Sequence, residues 1–304
     1  MIMLKIDKQN GNTAFNEENH VYWNIEDDSV KYISVTTMIE KFGQPFDKEF
    51  WSSYKALEKL LPKDEWAIEK KSLLNNKIFN RDILEAHSIN ENAFNIEKQA
   101  ILDTWQSENK KSCERGTKIH AQLENSFYKK KKNIDLAKYQ VGGKFECIKD
   151  STQLDLENCV YPEYLISWDS PSGKLHVAGQ IDLIAKKGNS IVILDWKTNK
   201  KLDLKGFYDS KTKKTTKMKF PLNSLDECNY SHYNLQLSTY AYMLTQKYPE
   251  FVIEDLVLVH FDHDDNMTVY HLPYLKTEVE KMLAFYEKQS VLEDRKNKNK
   301  RIEY

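Results

Sequence analysis

The chain has 304 residues, 40% of them hydrophobic and 12% aromatic, which excludes a disordered chain and allows one large domain or two small ones. Its net charge of −1 leaves any nucleic-acid-binding surface to a local patch. No run approaches the roughly 18 apolar residues of a membrane helix, and the opening MIMLKIDKQN turns polar too soon for a secretory signal.

Residues 20–42 read as a strand pair leading into a helix. HVYWNI and VKYISV are strand-like, Asp27-Asp28-Ser29 makes the turn, and Thr36 or Thr37 caps the helix that begins MIEKF. Amphipathic helical stretches then run to about residue 110, beginning with the aromatics Phe46, Phe50, Trp51 and Tyr54. That cluster either packs a core or offers faces for base stacking. The expected division is a mainly helical elaboration over 1–110, a core over 111–292 and a basic tail over 293–304.

A helix is expected over 112–131, with Ser112 as N-cap and Ile119, Leu123 and Phe127 as its apolar stripe. His120 and Glu124 sit beside that stripe as i, i+4 neighbours. VYPEYLISW, 160–168, is the next strand, with Glu163 on the face of Tyr161 and Leu165. LHVAGQIDLIAKKGNSIVILDWKTNK, 175–200, reads as a hairpin turning at Lys187-Gly188-Asn189. Alternation puts Leu175, Val177, Gly179, Ile181 and Leu183 on one face, and Gln180, Asp182 and Ile184 on the other. On the second strand Ile191, Ile193, Asp195 and Lys197 share a face, opposite Val192, Leu194 and Trp196.

Asp and Lys are poor strand formers, and half-buried carboxylates are costly unless paired or holding a metal. Two readings stand at this point. Asp182 or Asp195 forms a cross-strand ion pair with Lys197, or the two carboxylates hold a hard divalent cation while the ammonium positions a water or steadies negative charge.

Segment 201–231 shows little periodicity. Residues 197–219 carry nine lysines against Asp203 and Asp209, so a flap touching phosphates and a solvated insertion are both open readings. A helix follows over 232–247, with Tyr233, Leu237, Ala241 and Leu244 inward and His232, Gln236 and Tyr240 on a neighbouring face. LVLVHF and MTVYHL form a second hairpin across Asp262–Asn266. A helix over 276–290 and a frayed KNKNKR tail end the chain.

Four of these segments, in order, resemble motifs of the RecB-like PD-(D/E)XK nucleases. GTKIH resembles the family's G-x-x-x-H, GQID its G-x-x-D, LDWKT its D-x-K-T and QLSTY its Q-x-x-x-Y. The resemblance covers about 110–290. It implies an α/β fold with a central mixed sheet flanked by helices, to which the helical N-terminal part is added. It implies Mg²⁺ or Mn²⁺ bound by His120, Asp182 and Asp195, with the Trp196 carbonyl as a backbone ligand. Lys197 would be the catalytic ammonium, Gln236 and Tyr240 supporting residues, and Glu163 a further acid reaching the site.

Some relatives in that family hold an iron–sulfur cluster. Here no Cys follows Cys228, so Cys113, Cys147, Cys159 and Cys228 are expected as four unlinked thiols in a reduced, cytoplasmic setting. The implied activity is hydrolysis of DNA, as an exonuclease of phage or bacterial recombination, repair or processing. DNA is the expected partner, no membrane is, and a recombination or replication protein is a possible one. The alternatives are a non-catalytic DNA-binding protein of this fold and a sequence-specific endonuclease.

Overall fold

The computed structural model describes residues 5–149, 154–155, 157–210 and 212–302. Thirteen strands are described. The first four are β1 (Lys8–Asn10), β2 (Thr13–Asn16), β3 (Val21–Asn24) and β4 (Tyr32–Ser34). Next come β5 (Lys132–Asp135), β6 (Lys144–Ile148), β7 (Asn158–Asp169), β8 (His176–Lys187) and β9 (Ser190–Lys197). The last four are β10 (Tyr208–Asp209), β11 (Lys214–Thr215), β12 (Val252–Phe261) and β13 (Met267–Leu272). The α-helices are α1 (Val35–Glu40), α2 (Lys48–Leu60), α3 (Lys63–Asn76), α4 (Asp82–Ala86), α5 (Glu91–Lys130), α6 (Asn229–Lys247) and α7 (Lys276–Ile302).

The chain divides into two compact units, residues 1–44 with 118–304, and residues 45–117. The first 44 residues thus group with the unit that holds the main sheet. In the smaller unit α2, α3, α4 and the first part of α5 bury Phe50, Tyr54, Leu57, Trp66 and Phe94. Phe50 and Tyr54 are therefore core residues, which excludes them as stacking faces. The helix expected from Ser112 is the later part of α5, which runs unbroken for 40 residues. Ser112 is interior to it, and the helix runs on through Gly116.

The larger unit is α/β. Its main mixed sheet has the order β13-β12-β9-β8-β7-β6-β5. Strands β12 and β9 run parallel, as do β7 and β6, and the remaining neighbours are antiparallel. One face buries Ile166, Val177, Ile181, Ile193 and Leu258 under α1, α6 and α7. The other buries Val160, Leu183, Leu194, Trp196 and Val257 with Phe127 of α5. Burial of two such faces supplies the main driving force, at about 25 cal/mol per Å² of apolar surface.

Several local readings change. Between β3 and β4 the described pairing is an isolated bridge from Trp23 to Lys31, just before β4. Instead β3 pairs with β2, and β4 joins the main sheet parallel to residues 176–178 of β8. Ser34 caps α1, its Oγ accepting from the Thr37 N–H, because Val35 already has helical geometry. Helix α7 continues to Ile302, past the expected end at 290.

Cys147 and Cys159 face each other across the β6–β7 pair, 4.8 Å apart at Cα, and are joined by a disulfide. Cross-strand adjacency, invisible in a spacing of 12, overturns the expectation of four unlinked thiols. Cys113 and Cys228 are free. No helix among the described residues is long and apolar enough to cross a membrane.

Candidate metal centre and its ammonium

The site is built where strand alternation breaks in β7 and β8. In β7 Tyr161, Tyr164 and Ile166 all enter the same core. In β8 Val177, Ile181 and Ile184 do so, while Leu183 enters the opposite one. Both strands therefore switch faces between the register pairs Pro162–Leu183 and Tyr164–Ile181, where Glu163 stands opposite Asp182. On β7 the switch falls at Glu163, whose φ is +51°, in the left-handed region. A non-glycine in that region costs about 1–3 kcal/mol and is held by its surroundings. Regular alternation put Glu163 with Tyr161 and Leu183 with Ile181, and the kink reverses both placements.

The sheet also opens at this point. Strand β8 pairs with β4 through Ala178 and with β9 only from Leu183 onward. Past Leu194 the chain of β9 peels away, and the Trp196 N–H donates to Asp182 Oδ2 at 2.8 Å. From the helix side, His120 Nε2 lies 2.9 Å from the Trp196 carbonyl. A carbonyl only accepts, so Nε2 carries the hydrogen of this contact. The His120 Nδ1 is 3.6 Å from Asp182 Oδ2.

The ligand atoms of His120, Glu163 and Asp182 all lie within 4.8 Å of one another. One imidazole nitrogen and two carboxylates suit a hard or borderline divalent ion. The electrostatics point the same way. Burial, and then the Asp182 charge, push the Glu163 carboxyl up to about 8. Lys8 Nζ, 3.5 Å from Glu163 Oε2, compensates only in part. A divalent cation would relieve this repulsion. The donor set thus fits Mg²⁺ or Mn²⁺. The Trp196 carbonyl is engaged by His120.

Asp195 lies outside that three-residue cluster. It is buried, with 1% exposure, and its Oδ2 is 2.6 Å from Lys197 Nζ. Gln236 Nε2 donates to Asp195 Oδ1 at 3.2 Å and lies 3.3 Å from the Tyr240 hydroxyl. Burial raises the Asp195 carboxyl to about 6 against the pull of Lys197, while Asp182 and His120 also act on it. For Lys197 burial works against the charge, but Asp195 and Asp182 outweigh it and hold the ammonium above the ordinary lysine range. The ammonium sits 4.9 Å over the Tyr233 ring, a cation–π contact. Asp195 and Lys197 therefore form an ion pair beside the three-residue cluster.

Gly179 and Tyr240 explain each other. A Cβ on Gly179 would lie 2.6 Å from Tyr240 Cε1 and 3.1 Å from its hydroxyl oxygen. The glycine of GQID is bare because the tyrosine of QLSTY lies against it. Two short segments about sixty residues apart in sequence thus meet at one contact.

Sequence reasoning missed Lys8 and Gln180. Gln180 Nε2 donates to Glu163 Oε2, and Lys8 reaches it from the N-terminal sheet β1-β2-β3. That sheet covers the edge of β7 beyond its pairing with β6. Asn10 Nδ2 donates to the Leu165 carbonyl at 2.6 Å, and Thr13 Oγ1 donates to Ser167 Oγ at 2.7 Å. A cleft of about 250 Å³ opens there, lined by Lys8, Asn10, Glu124, Tyr128 and Glu163. A three-residue strand at the N-terminus carries no periodic signal that links it to this site.

No family model and no curated protein matches the chain. Two solved structures are similar to it. One, named SSO0001, is 16% identical with a TM-score of 0.29, over 61% of this chain and 68% of its own. The other, from Eubacterium rectale and named as a candidate exonuclease, is 12% identical with a TM-score of 0.31, over 84% of this chain and 77% of its own. At these scores neither likeness bears on the chemistry of the site.

Proposed function

We propose that the protein is a metal-dependent nuclease that hydrolyses DNA phosphodiester bonds. The observation that carries this reading is the convergence of His120, Glu163 and Asp182 from three elements, next to the Asp195–Lys197 pair. His120, Glu163 and Asp182 would hold Mg²⁺ or Mn²⁺, with Asp195 as a further ligand from the adjoining strand. When bound, the cation would lower the pKa of a water and neutralise charge on the scissile phosphate.

The chain's own groups do the rest. Lys197, kept charged by Asp195 and Asp182, stabilises the negative charge that grows on the phosphate. Gln236 orients Asp195, and Tyr240, kept neutral by burial, backs Gln236. The order of the His, Asp, Asp-Lys and Gln-Tyr motifs supports the finer reading, a RecB-like PD-(D/E)XK exonuclease of phage or bacterial DNA metabolism.

The test is digestion of end-labelled DNA. Wild type should degrade it with Mg²⁺ or Mn²⁺ and not in EDTA, and Asp182→Asn should be inactive while its thermal melt stays cooperative. Equal degradation in EDTA would refute the reading.

A further inference from the structure

The lysine-rich segment after Lys197 is a built hairpin. Strands β10 and β11 pair antiparallel, and the Thr216 N–H donates to the Phe207 carbonyl at 2.8 Å. The hairpin is tied to the start of α6. The Glu227 N–H donates to the Thr216 carbonyl at 2.9 Å, the Tyr230 N–H to the Asp203 carbonyl at 3.1 Å, and Lys217 Nζ is 2.6 Å from Asp226 Oδ1. The packing is close, since a Cβ on Gly206 would lie 2.2 Å from the Thr216 carbonyl oxygen.

This ordered hairpin nevertheless displays two adjacent aromatic rings to solvent, Phe207 at 75% exposure and Tyr208 at 58%. Other exposed aromatics have ring partners: Phe220 lies against Phe285, and Phe46 against Trp105. Among the described residues Phe207 and Tyr208 have none. Folding gains nothing from leaving two such rings in water.

Exposed lysines surround them on the same segment, Lys205, Lys213, Lys214 and Lys219, outnumbering the nearby carboxylates Asp203 and Asp209. Behind Phe207 lies a cleft of about 530 Å³, lined also by Lys205, Glu227, Asn229 and His232. One turn further along α6, the Tyr233 ring lies under the Lys197 ammonium. The hairpin is thus joined to the proposed reaction centre through both its sequence and its anchor.

We infer that Phe207 and Tyr208 form a base-stacking platform for single-stranded DNA, with the hairpin lysines holding the backbone that feeds the centre. The inference rests on the nuclease reading and names the form of its substrate. Exposed flat rings beside lysines match unpaired bases on a phosphate chain. Duplex bases are already stacked on each other and offer such rings no face. The lysines argue against an apolar protein partner.

The experiment uses the full chain in EDTA, so that binding is read without cleavage. Fluorescence anisotropy compares a labelled oligothymidylate with a blunt duplex at several salt concentrations. Wild type should bind the single strand at least about ten-fold more tightly, and Phe207→Ala and Tyr208→Ala should each weaken it by about five-fold or more. Lys213→Ala with Lys214→Ala should flatten the salt dependence by a slope of about 0.7 for each phosphate no longer neutralised. Both rings are on the surface, so these variants should melt as wild type does.

Three results would overturn the inference. These are unchanged affinity in both aromatic variants, binding of the duplex as tightly as the single strand or of neither, and a wild-type dimer in sedimentation that Phe207→Ala makes monomeric. Cleavage assays with Mn²⁺ separate this inference from the reading beneath it. Binding that depends on Phe207 without any cleavage by wild type sinks the nuclease reading alone. Cleavage with binding indifferent to Phe207 sinks the platform alone.

Discussion

Two carboxylates opposed across β7 and β8 are costly to bury, and each neighbour has a distinct part in tolerating them. Gln180 and Lys8 satisfy Glu163, the Trp196 N–H satisfies Asp182, and His120 completes the ring of groups. His120→Ala should lower metal affinity and cleavage together. High Mn²⁺ should restore part of the loss, because mass action refills a site that has lost one neutral ligand. Normal cleavage by His120→Ala at limiting Mg²⁺ would make the residue a packing group. Lys197→Met keeps the bulk and removes the charge. It should slow cleavage about 10²-fold or more while calorimetry finds Mn²⁺ affinity nearly unchanged. Disappearance of the Mn²⁺ isotherm would assign Lys197 a structural task instead.

Among the elements, the contact between Gly179 of β8 and Tyr240 of α6 is the joint on which the Asp195 pair depends. The Tyr240 ring is buried, so a methyl at 179 has no room to enter. Gly179→Ala should cost about 1–3 kcal/mol by overpacking, and should cut cleavage by shifting Tyr240 and Gln236 away from Asp195. Adding Tyr240→Leu should relieve the clash, so the double variant should melt above the sum of the two single losses. Strict additivity in the melts would show that the two positions do not press on each other.

For the whole molecule, Glu163 should couple folding to pH and to a bound cation. Its carboxyl titrates near 8 in the fold against an ordinary 4.5, so between those values the folded state binds more protons than the unfolded one. Stability without a divalent ion should therefore fall as pH rises from about 4.5 to 8, and Glu163→Gln should remove that part of the slope. Mn²⁺ should stabilise wild type increasingly toward the alkaline end. A concentration 100 times the dissociation constant would add about 2.7 kcal/mol. Melting curves across pH, with and without Mn²⁺, measure both effects. Identical slopes for wild type and Glu163→Gln would place the carboxyl outside any such coupling.

Hydrophobic patterning located β7, β8, β9, β12 and α6, because each buries several residues. On β9 the alternation held to its end, so Ile191, Ile193 and Asp195 do share a face. Local sequence could not show the left-handed Glu163, since a kink in a strand is imposed by what packs on both sides of it. Nor could it show that Asp195 pairs with Lys197 while Asp182 turns to His120, a choice made where β9 leaves β8. Lys8, the Cys147–Cys159 bond and the anchoring of the β10–β11 hairpin are contacts between segments with no shared period. The residue types of the site are thus legible in the chain, because chemistry limits which side chains can hold a cation or a phosphate. Which of them converge was decided only by the tertiary fold, because two opposed strands had to switch faces together to bring them to one point.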